Sequence, residues 1–74
     1  LSDYQQFLSE REKIDFMIEK GYRIKGVNEN LSGSFVEFEN TSLDRENTET
    51  LHIQTAEARK YFSVILIKQQ QKTG

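Results

Sequence analysis

One histidine and no cysteine confine the chemistry open to this chain. His52 is the only histidine of the 74 residues, and histidine is the residue type suited to proton transfer and metal binding at physiological pH. A metal bound there would have to draw its remaining ligands from carboxylates. The carboxylates of the N-terminal segment, Asp3, Glu10, Glu12, Asp15 and Glu19, offer pairs one helical turn apart. Two such groups can act as acid and base only where a cleft drives their pKa values apart. Here Arg11, Lys13 and Lys20 interleave with them, the pattern of a solvated helix face. No Gly-rich phosphate loop and no nucleophile elbow is present. The expectation is a non-enzymatic chain with no cofactor and no metal.

The elements that carry these residues follow from their spacing. Phe7, Leu8, Ile14, Met17 and Ile18 recur mostly at helical intervals up to Gly21, which predicts a helix over residues 3–20. Ser9 and Glu12 form a capping-box pattern at which that helix could restart. Residues 22–28 read as a strand, with Gly26 marking a bulge that lets Val27 change face. Turn residues fill 28–33, a second strand follows at 34–39, and residues 40–47 read as a polar, mobile loop. Residues 49–55 alternate cleanly, Leu51 and Ile53 inward and His52 outward. Arg23 and Lys25 would then pair across the ladder with Glu37 and Glu39.

The last segment reads two ways. Thr55 suits an N-cap, Glu57 a first helical turn, and Lys68 and Lys72 a last one. Residues 61–67, however, are rich in strand formers. Alanine, glutamate and arginine in 56–60 favour helix over a hairpin loop, so helix is the first reading and a fourth strand the alternative. The whole is an α+β domain spanning residues 1–74: helix, three-stranded antiparallel sheet, helix, then a polar tail at 69–74. The expected core is Phe7, Leu8, Ile14, Met17, Ile18, Ile24, Val36, Phe38, Leu51, Ile53, Phe62 and Ile65.

Charge divides unevenly. Residues 1–50 hold eleven acids and six bases; residues 51–74 hold Glu57 against Arg59, Lys60, Lys68 and Lys72. The halves should attract within the fold, or the basic half should form a docking patch. No apolar run approaches the length of a membrane span, and the cysteine-free composition fits a cytoplasmic, reducing setting. A chain opening at Leu1 fits trimming or excision from a longer one.

If residues 56–70 are helical, Ala58, Tyr61, Phe62 and Ile65 share one face, and Val64 and Ile67 fall outside it. Two large aliphatic residues beyond the stripe that a sheet needs point to contact with a second chain, a protein partner or another copy. The leading expectation is a protein-interaction or regulatory module using Val64 and Ile67. The alternative is weak nucleic-acid binding through Arg23, Lys25, Arg59 and Lys60, with no recognised motif beside them.

Overall fold

A computed structural model describes residues 2–40 and 47–71. In chain order it comprises α1 (Ser2–Glu19), β1 (Arg23–Asn30), β2 (Gly33–Asn40), β3 (Asn47–Ile53) and α2 (Ala56–Gln70). The strands form one antiparallel sheet in the order β1-β2-β3. The last segment is therefore a helix, and the fourth-strand alternative is set aside. Residues 41–46, within the expected mobile loop, lie outside the described residues. So do Leu1 and tail residues 72–74, including the place expected for Lys72.

Local chemistry explains the element ends. The Tyr22 N–H donates to the Met17 carbonyl and the Gly21 N–H to the Ile18 carbonyl, each at 3.0 Å. This double closure requires a left-handed residue, and Gly21 supplies it with φ +95. No break interrupts α1 at Ser9, so the capping-box pattern there is not used. The β1–β2 connection is a tight turn through Leu31 and Ser32. Gly33 after it has φ +127, and a Cβ there would lie 2.7 Å from the Ile53 carbonyl oxygen. The expected bulge is present as a register shift between Ile24 and Gly26. Beyond it Val27 pairs with Val36 and shares its face.

Ser34, Val36, Phe38 and Asn40 of β2 point inward, and Ile24 and Ile53 flank them. Ile14 and Met17 of α1 and Ala58 and Phe62 of α2 complete the buried core, so both helices lie on one face of the sheet. Phe7, Leu51 and Ile65 of the expected core are half-buried against it. Ile18 departs from expectation: one residue beyond Met17, it turns toward the groove between the helices and remains exposed.

Glu10 departs further. Expected on a solvated face, its side chain is 1% exposed. Its Oε2 accepts from Gln6 Nε2 at 2.9 Å and from the Gln54 N–H at 2.8 Å. Its Oε1 accepts from the Thr55 N–H at 3.1 Å and the Thr55 hydroxyl at 2.7 Å. Thr55 Oγ1 in turn accepts from the Ala58 N–H as the N-cap of α2. One carboxylate of α1 thus fastens the corner where β3 becomes α2. Burial pushes this carboxyl upward, but the bonds from Gln6, Thr55 and Gln54 outweigh it and hold it below the usual glutamate range.

The distal ends are tied by neutral amides. Asn40 Nδ2, on buried Asn40, donates to the Lys20 carbonyl at the close of α1. Gln69 of α2 accepts from the Ile24 N–H at 2.8 Å and donates to the Ile24 carbonyl at 2.9 Å. It thereby takes up the outward backbone groups of edge strand β1 at that residue.

Two outcomes test these ties. Glu10→Gln keeps the volume but turns an amide NH₂ toward groups that donate, so urea unfolding should show a loss of about 2 kcal/mol. The native carboxyl is held low, so its contribution is complete above the usual glutamate range and disappears as pH falls through the lowered native value. The gap between wild type and Glu10→Gln should therefore narrow on acidification. Gln69→Ala should cost about 1 kcal/mol and speed exchange of the Ile24 amide hydrogen.

Candidate protein-interaction surface

Thr55 starts α2 at the Glu10 corner, and the helical repeat then decides which side chains meet the sheet. Ala58 and Phe62 are buried, with Tyr61, Ile65 and Leu66 packed partly against the core. The Tyr61 hydroxyl donates to Asp15 of α1, which fixes the rotation of the helix. That bond, with burial added, raises the Tyr61 phenol above its ordinary range. Glu10 beside Thr55, then Asp15 beside Tyr61, set α1 and α2 parallel.

With this rotation Val64 and Ile67 point away from the core, 51% and 53% exposed. They sit one turn apart on the outer side of α2. Val64 borders a shallow groove lined by Ala56, Arg59, Lys60 and Ser63. A second groove, between the helices, is lined by Ile18, Tyr22, Arg23, Ile65, Lys68 and Gln69. The arrangement can seat apolar side chains on the ridge between the grooves, with ammonium groups at the rim.

The four basic residues are not gathered. Arg59 is engaged, its Nε and Nη2 donating to the two oxygens of Glu29 at 2.5 and 2.8 Å. The guanidinium holds the Glu29 carboxyl below its usual range. This pair realises in part the expected attraction between an acidic first half and a basic second half. Arg23, at the start of β1, borders the inter-helix groove. Lys25 is exposed beside the bulge, and Lys60 is exposed on α2. The expected ladder pairs are not formed as ion pairs. The register sets Arg23 opposite Glu39, but the ion pair found among the described residues joins Arg59 to Glu29.

His52 lies on the sheet face away from the helices. Its ring stacks on Phe35 with centroids 4.3 Å apart and planes within 2°, and Nε2 donates to the Ser32 carbonyl at 2.7 Å. Among the described residues no group of three or more metal-ligating side chains converges, and no helix is long and apolar enough to cross a membrane.

Sequence reasoning passed over other exposed apolar residues. Phe16 is one, off the core stripe of α1, and Leu31 is fully exposed at the hairpin tip. A helical wheel would have flagged Phe16, and an aliphatic residue inside a run of turn formers would have flagged Leu31. No protein-family model, curated protein or solved structure matches this chain.

If α2 keeps this rotation, Val64→Asp with Ile67→Asp should leave circular dichroism unchanged and move the melting temperature by only a few degrees. Phe62→Ala on the opposite side should cost about 3 kcal/mol or more and unfold much of the population.

Proposed function

We propose that this domain is a non-enzymatic protein-interaction or regulatory module that binds its partner through the outer side of α2. One observation carries the reading. Val64 and Ile67 are half-exposed on adjacent turns of a helix whose packing is already met by Ala58 and Phe62. Exposed aliphatic pairs of this kind gain on the order of 1 kcal/mol each when a partner covers them. Lys60 and Lys68 flank the pair in sequence and favour a partner surface with acidic groups at its rim. The same proposal sets the module in the cytoplasm, a reducing setting that the cysteine-free composition fits.

The nucleic-acid alternative draws less support. Arg59 is held by Glu29, and Glu37 and Glu39 share the sheet surface nearest Arg23 and Lys25.

Retention experiments separate the two. Immobilised domain is incubated with extract of its source cells, with and without nuclease, and bound proteins are identified by mass spectrometry. The expected result is a defined protein that survives nuclease and whose affinity falls on the order of 100-fold in Val64→Asp with Ile67→Asp. Recovery that depends on nucleic acid and collapses with added salt would transfer the function to the basic residues.

A further inference from the structure

The two edges of the sheet are finished differently. On β1, Ile24 turns both its N–H and its carbonyl outward to Gln69. A bulge follows at once, and Arg59 reaches across to Glu29 further along. Bulges and covering side chains are ordinary means of closing an edge.

The direction of the β3 backbone follows from the same bond. Ile24 lies opposite Phe38, so that pair exchanges no hydrogen bonds, and Phe38 turns its own N–H and carbonyl toward Glu49 of β3. Alternation then points the backbone of Asn47, Glu49, Leu51 and Ile53 at β2, and that of Thr48, Thr50 and His52 at the outer edge. Gln54 continues the outward series, and its N–H is the one that Glu10 takes. Glu10 therefore closes the edge at Gln54. Among the described residues nothing bonds the outward groups of Thr48, Thr50 and His52.

We propose that β3 is a docking edge for a second copy of this chain, paired antiparallel about a two-fold axis through Thr50. In this register Thr50 meets Thr50 of the second copy, Thr48 meets His52, and Glu49 meets Leu51. The three outward residues of each strand exchange all their N–H and carbonyl groups, and no like charges stand directly opposed. The two sheets become one of six strands.

Charge supports a copy as the occupant. Glu49 lies on the helix-facing side of β3, and a charge pointing inward ordinarily discourages pairing. Here α1 runs antiparallel to β3, with Glu10 beside Gln54 and Lys20 bordering the same groove as Glu49. Lys13, on the side of α1 shared by Phe16 and Lys20, falls between these two points, nearer Gln54. Glu49 of the incoming copy, opposite Leu51, comes within the reach of that long side chain. Phe16 lies on the same side, 56% exposed, and lines a groove of about 530 Å³ with Met17, Lys20, Tyr22, Asn40 and Glu49. An added strand covers it.

Sedimentation equilibrium of the full chain from about 10 μM to about 1 mM tests the pairing. The average mass should rise from 8.7 kDa toward twice that value, with amide exchange at Thr48, Thr50 and His52 slowing in step. Thr50→Pro removes an outward N–H and leaves the β2 ladder intact, so it should fold and remain monomeric. If proline prevents folding, Thr50→Lys decides. It sets like charges against each other across the two-fold axis on the exposed sheet face and should weaken the dimer about tenfold or more. A wild type that stays monomeric at the highest concentration overturns the proposal. So does a dimer that both Thr50 variants leave intact, or one lost only in Val64→Asp with Ile67→Asp. The α2 reading stands or falls separately, because it concerns a different surface and a different variant.

Discussion

The Glu10 carboxylate accepts four hydrogen bonds, and the meeting of α1, β3 and α2 depends on it. It is the one nearly inaccessible ionised group of the described residues, and an isolated charge so buried would cost several kcal/mol. What makes it tolerable is full satisfaction: a Gln6 amide, two backbone N–H groups and the Thr55 hydroxyl. Those donors come from α1, the end of β3 and the cap of α2. The bonds thus fix where the third strand stops, where the second helix starts, and how far α1 lies from both. The negative charge at the N-terminus of α2 is also favourable to the helix dipole.

A small core makes such ties necessary. Among the described residues, eight buried apolar side chains hold two helices to three strands. Apolar packing is not directional, so alone it would leave the helices free to slide or rotate. Polar bonds of defined direction remove that freedom at each corner: Glu10 at Thr55, Asn40 at the close of α1, Gln69 at the edge of β1 and Tyr61 between the helices. Three of the four reach backbone groups, which keep their place whatever the neighbouring side chains do.

The same ties determine what is left for other molecules. With rotation fixed by Asp15 and the register by Gln69, α2 has no means of turning Val64 and Ile67 inward without losing Phe62 from the core. Gln69 closes part of one sheet edge, while Glu10 closes only the last outward position of the other. Exposed apolar side chains and open backbone groups are thus direct consequences of how the core is locked.

The sequence by itself determined the order of the elements and the type of the first four. Helical spacing before Gly21, alternation at 49–55 and a threonine cap at Thr55 are local signals that the backbone obeys without tertiary help. The outward position of Val64 and Ile67 followed once the last segment was taken as helix. Tertiary structure alone decided the rest. Residues 61–67 suit either a strand or a helix, and the Glu10–Thr55 cap together with the burial of Phe62 selects the helix. Glu10 itself looks like any surface glutamate in the sequence, because three of its four bonds come from donors 44 and 45 positions away. Gln69 is one of three consecutive glutamines with nothing local to distinguish it. Arg59 finds Glu29 across the fold rather than a nearer acid. Patterns within a few residues report which face of an element is apolar. Bonds between distant residues exist only once those faces have met.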